Sequence, residues 1–299
     1  MIPDDPIIGF VGLGTMGSAI ATRLLEKGYR VVGYNRTRAK AEALEPAGLD
    51  VVDLPREAAA RSHVCFSMVT DDASLAAVAR GADGIIAGLQ RDSIYIELST
   101  VGPQIARELA KEAAAAGSTL LDAPVSGSVG HARSGKLSFM VGGPARALEQ
   151  VRSILQAIGE KITWVGEAGD GKLMKLATNL QVYVQTLAFA ESMRLAERGG
   201  IDPKIAMEVL LNSVICSPML QYRAPFMVTR PEQAWFTIDL SVKDLGLVLD
   251  AARQLGVSLP ATGAASAAFK HAAETGHGSE EAAAIYDAIE ELPATASTS

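Results

Sequence analysis

Through the first half of the chain, short apolar runs alternate with segments of helical periodicity. The run IIGFV at residues 7–11 is followed by a helical stretch to Lys27, and VVGY at 31–34 by another through Ala41 to Leu44, which is the pattern of βαβ units. Further strands are predicted at Val64–Met68, Ile94–Leu98 and Thr119–Asp122, with helices such as Pro103–Ala116 between them and later strands at Leu137–Val141 and Ile162–Val165. A doubly wound parallel sheet follows. Past Gly169 the strand signal stops, and the rest reads as helices punctuated by Gly199-Gly200, Pro203, Pro218, Pro225, Pro231, Gly256 and Pro260. The pattern predicts an α/β domain over 1–165, an all-helical domain over 166–293 and a frayed tail over 294–299. The first helix of the second domain, about 170–198, is long enough to be expected to bridge the two domains and floor a cleft between them.

Composition narrows the classes. With 299 residues, 48% of them hydrophobic and 20% charged, the chain can bury two cores, so disorder is excluded. Its net charge is −7 and its Lys and Arg residues are scattered, so neither nucleic acid nor a membrane surface is an expected partner. The two cysteines, Cys65 in an apolar run and Cys216 far along the chain, fit a reducing compartment and give no thiolate metal site; no metal is expected. The opening MIPDDPIIGF lacks a basic segment ahead of an apolar one, and no run approaches the roughly 18 apolar residues of a membrane span. A cytoplasmic location is expected.

Gly12-Leu13-Gly14-Thr15-Met16-Gly17 matches G-x-G-x-x-G directly after the first strand and directly before a helix, the context in which this motif is informative. Gly12 permits a tight turn, Gly14 lets the backbone approach a pyrophosphate, and Gly17 lets the helix pack closely while its N-terminal N–H groups face the anion. The sheet is therefore expected to be a Rossmann-type dinucleotide-binding domain. After the second strand, an NAD-preferring site would carry Asp or Glu for the ribose hydroxyls. This chain has Asn35-Arg36-Thr37, where a guanidinium can pair with a 2′-phosphate and the Asn and Thr side chains can donate to it. NADP(H) is the expected cofactor, with NAD(H) as the second candidate; the competing reading of Arg36 is a solvated residue at a helix start.

The stretch GDGKLMKLATN at 169–179 places two lysines and an asparagine on an otherwise apolar helix. At about 100° per residue, Leu173, Leu176, Leu180, Val184 and Leu187 form one apolar stripe and Val182, Phe189 and Met193 a second. Lys175, Asn179 and Thr186 lie between the stripes, while Lys172 is expected to reach solvent at the helix end. An ammonium in partly dry surroundings calls for an anionic or hydrogen-bonding partner, such as a ligand carbonyl or carboxylate; otherwise Lys175 is a snorkelling interfacial lysine. Beside a dinucleotide, it can donate a proton to a carbonyl oxygen as hydride reaches the carbon, and the reverse. An ordinary lysine pKa near 10.4 makes reduction the favoured direction.

A third motif, LDAPVSGSVGHA at 121–132, sets Ser126, Gly127 and Ser128 at the carboxyl end of a strand, where their small side chains suit a loop around a carboxylate; an ordinary Gly/Ser turn is the alternative. Taken together, GLGTMG, DAPVSG and GDGKLMKLATN resemble, in order and spacing, the β-hydroxyacid dehydrogenase family of 3-hydroxyisobutyrate dehydrogenases, tartronate semialdehyde reductases and glyoxylate/succinic semialdehyde reductases, over residues 7–292. The resemblance implies Lys175 as the catalytic lysine, Asn179 as its partner in placing substrate, and Ser126 with Gly127 in the substrate loop. It implies Thr100 beside the nicotinamide, and Lys243 and Asp244 closing over the cofactor end with Phe236 nearby; their alternative is a surface charge pair. The expected cofactor set also includes Met68 and Val69, and Asp244 and Phe236 are expected on the substrate.

Ser128 stands where many members of that family have a second glycine, which leaves the recognised acid open. His131 and Arg223 receive no assigned role. The expected function is hydride transfer between NADP(H) and a small 3-hydroxy acid or its semialdehyde or keto acid, with a small carboxylate as substrate. An imine reductase-like enzyme and a noncatalytic NADP-binding scaffold are the alternatives. The apolar faces of the helical domain, together with the family resemblance, imply a homodimer or homotetramer.

Overall fold

The structure, a computed structural model, describes residues 2–291; the tail expected at 294–299 lies outside them. The chain divides into two compact units, one through Lys175 and one from Leu176 onward.

Unit one is a nine-stranded sheet. Its strands are β1 (Ile7–Val11), β2 (Arg30–Tyr34), β3 (Asp50–Val51), β4 (Val64–Ser67), β5 (Ile94–Glu97), β6 (Thr119–Asp122), β7 (Val125–Ser126), β8 (Leu137–Gly142) and β9 (Gly159–Gly166). They lie in the order β3-β2-β1-β4-β5-β6-β8-β7, with β9 paired to β8. From β3 to β6 every pairing is parallel, in the order of a dinucleotide-binding Rossmann sheet. Beyond β6 the sheet departs from the wholly parallel expectation, since β8 runs antiparallel to both β6 and β7. The two-residue strands β3 and β7 are too short to show a hydrophobic period, which is why the sequence pattern does not predict them.

The apolar runs are continuous because both faces of the sheet are covered. Alternate side chains of each strand enter different cores: Ile8, Phe10, Phe66, Ile94 and Ile96 pack on one side, and Val11, Cys65, Tyr95 and Leu120 on the other. The covering helices of this unit are α1 (Thr15–Glu26), α2 (Arg38–Glu42), α3 (Pro55–Ala60), α4 (Asp72–Ala79), α5 (Ile85–Gly88), α6 (Pro103–Ala115), α7 (Val129–Ser134) and α8 (Ala145–Ile158).

Helix α9 (Asp170–Arg198) begins in unit one and continues into unit two without interruption. The rest of unit two is α10 (Pro203–Leu211), α11 (Pro218–Arg223), α12 (Ile238–Leu255), α13 (Pro260–Ala272) and α14 (Ile285–Ala288). Its core gathers Tyr183, Phe189, Met193, Leu220, Leu245, Phe269 and Ile285. Most of the punctuation read from the sequence falls at helix ends, with Pro231 in the loop before α12. Pro203, Pro218 and Pro260 sit in the first turns of α10, α11 and α13, where a missing N–H costs nothing, and Gly256 closes α12 at φ 68°.

The buried face of α9 differs from the expected stripe. Leu176 and Leu187 are buried, but Leu173, Leu180 and Val184 are only half-buried. Deepest burial follows Lys172, Leu176, Asn179, Tyr183, Thr186, Ala190 and Met193, a spacing of four and three that keeps one side of a helix facing inward. Lys172 therefore does not reach solvent at the helix end. It is fully buried, because acceptors distant in sequence meet it inside unit one. Among the described residues no helix is long and apolar enough to cross a membrane.

Candidate active site

The carboxyl ends of β1 and β2 carry the glycine fingerprint. Gly12 has φ 97°, its N–H donates to the Tyr34 carbonyl at 2.9 Å, and a Cβ there would run into the Met68 carbonyl, so only glycine fits the turn. A Cβ on Gly17 would strike the Gly12 carbonyl, which is how closely α1 packs beneath the loop. Gly14 differs: nothing lies within 4 Å of the position its Cβ would take. Helix α1 starts there with no side-chain cap and no acidic residue in its first turn. Open backbone and uncapped N–H donors at a helix N-terminus fit the pyrophosphate of a dinucleotide.

Asn35 is held by the loop itself. Its Oδ1 accepts from the Leu13 N–H at 2.9 Å and its Nδ2 donates to the Thr37 carbonyl at 2.9 Å, so its amide ties the fingerprint loop to the turn after β2. Arg36 and Thr37 are exposed beside it. Arg38 is engaged by Glu42 at 2.8 Å and by Asp53, whereas Arg36 makes no ion pair among the described residues.

At the carboxyl ends of β4, β5 and β6, the in-register residues Ser67, Glu97 and Asp122 form a fully buried polar row. Lys172 meets it from the start of α9. Its ammonium pairs with the Glu97 carboxylate and donates at 2.9 Å to the carbonyls of Glu97 and Ser99. Asp122 accepts the N–H groups of Gly169 and Lys172, each at 2.9 Å, and so caps the beginning of α9 from a strand far away in sequence. Burial raises the Asp122 pKa, opposed by the Lys172 charge and by these two amides. Tyr95, hydrogen-bonded to Ser67 at 2.7 Å, is pushed well above its ordinary value by burial and by the Glu97 charge. Cys65 is buried, and burial pushes its thiol up to about 12, an inert core residue.

The loops beyond these strands are tied together. Ser99 Oγ accepts from the Val69 N–H at 2.8 Å, and the Ser99 N–H donates to Glu97 Oε1 at 2.8 Å. Thr100, next along, is half-buried, as are Met68, Val69 and Lys175.

In the Ser126–Ser128 loop, Ser126 ends β7 and Gly127 sits at φ 139°, hemmed by Leu137 and His131. Ser128 shares a hydrogen bond of 2.8 Å with His131 Nδ1, and its N–H donates to the same nitrogen at 3.1 Å, closing the first turn of α7. That pairing fixes the ring of His131, whose direction nothing in the sequence determines.

Unit two has its own polar cluster. Asp244, 1% exposed, accepts on Oδ2 from Asn179 Nδ2 at 2.7 Å and from the Tyr183 hydroxyl at 2.6 Å, while Lys243 pairs with Oδ1 at 2.7 Å. Lys243 and Asp244 are thus no surface pair. Burial pushes the Tyr183 phenol well above its ordinary value, and the adjacent Asp244 charge adds to this. Phe236 packs on Tyr183 with ring centroids 6.3 Å apart. Arg223 is buried, 3.7 Å from Glu281 and 5.8 Å from the Phe236 ring, while Glu281 accepts the N–H groups of Trp235 and Phe236 at 2.7 and 3.0 Å.

Within unit one the structure thus gathers the fingerprint, Asn35, Met68, Val69 and Thr100 along neighbouring strand ends; within unit two it gathers Asn179, Phe236, Lys243 and Asp244. Sequence reasoning missed Lys172, Glu97, Asp122, Tyr183 and Glu281. A signal existed for two of them, because a carboxylate closing an otherwise apolar strand needs a partner.

Comparison with known proteins agrees with both units. Residues 7–166 match the NAD binding domain of 6-phosphogluconate dehydrogenase, and residues 169–289 match the NAD-binding domain of NADP-dependent 3-hydroxyisobutyrate dehydrogenase. The L-threonate dehydrogenase of Cupriavidus necator is 35% identical over 279 residues, covering 93% of this chain and 94% of its own. Glyoxylate/succinic semialdehyde reductase 2 of Arabidopsis thaliana is 32% identical over 282 residues, covering 94% of this chain and 79% of its own. The crystal structure of 3-hydroxyisobutyrate dehydrogenase from Salmonella typhimurium superposes with a TM-score of 0.87 at 29% identity, over 94% of this chain and 99% of that one. Imine reductase structures at 20–22% identity share the fold.

Proposed function

This chain belongs to the β-hydroxyacid dehydrogenase family, NAD(P)-dependent oxidoreductases, and from that premise we propose that it reduces a small semialdehyde or keto acid to its 3-hydroxy acid with NADPH, Lys175 acting as the general acid. The nicotinamide, when bound, supplies the hydride to the carbonyl carbon. Gly12, Leu13, Gly14, Thr15, Met16 and Gly17 hold the pyrophosphate, Arg36 takes the 2′-phosphate, and Met68, Val69, Thr100 and Lys243 line the nicotinamide end. The substrate carboxylate rests on the hydroxyl of Ser126 and the backbone N–H of Gly127, while Ser128, whose hydroxyl and N–H are both engaged by His131, shapes the loop. Phe236 packs beside the substrate.

The observation that carries this reading is the anchoring of Asn179. A buried carboxylate, Asp244, holds its amide at 2.7 Å with Tyr183 as second donor, so Asn179 is presented in one orientation, one helical turn beyond Lys175. Such a network rigidifies the groups in it, and a pre-oriented amide beside Lys175 is suited to placing a substrate. Lys175 then donates its proton to the carbonyl oxygen as the carbon is reduced.

The test is a panel of glyoxylate, succinic semialdehyde, tartronate semialdehyde and methylmalonate semialdehyde with NADPH, and of 3-hydroxyisobutyrate and serine with NADP+, on the wild type and on Lys175→Ala. The variant is expected to bind NADPH as the wild type does and to lose turnover about 100-fold or more, the scale of lost acid–base assistance. Turnover close to wild type would remove Lys175 from the mechanism. Tight NADPH binding with no turnover of any acid would make the chain a binding protein.

A further inference from the structure

Lys172 is absent from the roles assigned above, yet it is a fully buried cation with an acceptor for each of its donors. An ammonium has three donors. Here they meet the Glu97 carboxylate, the Glu97 carbonyl and the Ser99 carbonyl, all within three consecutive residues. Drawing these acceptors to one nitrogen sets the path of the chain as it leaves β5, immediately before Thr100. From Ser99 the connection continues: its hydroxyl accepts the Val69 N–H at 2.8 Å, which ties down the chain leaving β4. The Met68 carbonyl, one residue earlier, is the atom that leaves no room for a Cβ at Gly12. One buried ammonium thus reaches, through hydrogen bonds and one steric contact, the ends of β5, β4 and β1.

We propose that Lys172 is a positioning residue for the nicotinamide half of the cofactor site, acting through Glu97 and Ser99 on the loops at Met68–Val69 and Ser99–Thr100. The inference rests on reading unit one as an NADP(H) site. Stability alone is a weak reason for such a pair, because buried ion pairs seldom stabilise a fold more than well-packed apolar side chains of equal volume. What the pair supplies is a defined geometry for two loops. In a sheet of this strand order the two halves of a dinucleotide lie on opposite sides of β1, one over β1 to β3 and the other over β4 to β6. The hydrogen bonds from Lys172 end in the second half, at Glu97, Ser99 and Val69, and only the contact of the Met68 carbonyl with Gly12 touches the boundary. The turn after β2, which carries Arg36, is held instead by Asn35.

That asymmetry can be measured. The variant Lys172→Met with Glu97→Gln removes the two paired charges together and leaves Asp122 with the amides of Gly169 and of residue 172. Its binding of NADPH and of 2′-phospho-ADP-ribose, which lacks the nicotinamide, is compared with wild type by calorimetric titration, together with the fluorescence of bound NADPH. We expect the Kd of 2′-phospho-ADP-ribose to stay within twofold, the Kd of NADPH to rise tenfold or more, and the emission enhancement of the bound nicotinamide to fall. Unchanged NADPH binding and emission, or equal weakening of both ligands, would overturn the positioning role while leaving the cofactor reading intact. A wild-type chain that binds neither ligand would overturn the cofactor reading and this inference with it. If the double variant does not fold, Ser99→Ala, which cuts only the link to Val69, decides the matter: a loss confined to NADPH supports the proposal, and wild-type binding of both ligands refutes it.

Discussion

Asn35 and Arg36 follow β2 side by side, and their surroundings separate them. The Asn35 amide is held by the Leu13 N–H and the Thr37 carbonyl, whereas Arg36 is exposed and makes no ion pair among the described residues. If Arg36 reads a 2′-phosphate, Arg36→Ala should raise the Kd of NADPH by about 10- to 100-fold, the range for a hydrogen bond to a charged group, and leave that of NADH within twofold. Fluorescence titration with the two coenzymes checks this, and equal losses would mean that Arg36 does not read the 2′-phosphate. The sequence motif located this turn, since a missing acid after the second strand is visible in the residues themselves. Which of two neighbouring polar side chains stays available was not visible, because Asn35 is occupied by a backbone group 22 positions away in the chain.

The element whose origin is most instructive is α9. Its first turn is wedged between strands: a Cβ on Gly171 would lie 2.5 Å from the Asp122 carbonyl oxygen and 2.6 Å from that of Met140. Both obstacles are backbone, so Gly171→Ala can be accommodated only by moving the helix off the sheet. A loss of about 1–3 kcal/mol is expected, the usual cost of overpacking, read as a lower urea midpoint with unchanged slope. A loss under about 0.5 kcal/mol, within the range of ordinary surface substitutions, would show that the helix start relaxes freely. The ends of α9 were legible from periodicity and from the glycines around it, but its inward face was not. Apolar spacing excluded Lys172 from that face, whereas the folded chain buries it against Glu97 and Ser99, more than 70 residues away.

For the molecule as a whole, unit two leaves Leu195, Ile201, Ile205, Val209, Val214 and Ile215 exposed. Ile205 and Val209 lie one turn apart on α10. Apolar side chains in such number on one unit are the expected material of a self-association surface. Light scattering of the purified chain should give at least twice the chain mass, and Ile205→Glu with Val209→Glu should reduce it to the monomer without loss of helix content. A monomeric wild type at micromolar concentration would exclude a homo-oligomer built on this face. The sequence by itself determined the two-part architecture, the parallel strands β1, β2, β4, β5 and β6, the fingerprint turn and the extent of α9, because runs, periods and glycines act over a few neighbouring residues. Tertiary structure alone decided which polar groups are consumed in holding loops and which remain for a ligand. Lys172, Asn35 and Asp244 illustrate the physical reason: a buried polar group is satisfied by whatever acceptor or donor folding brings to it, and that partner's distance along the chain carries no local signature.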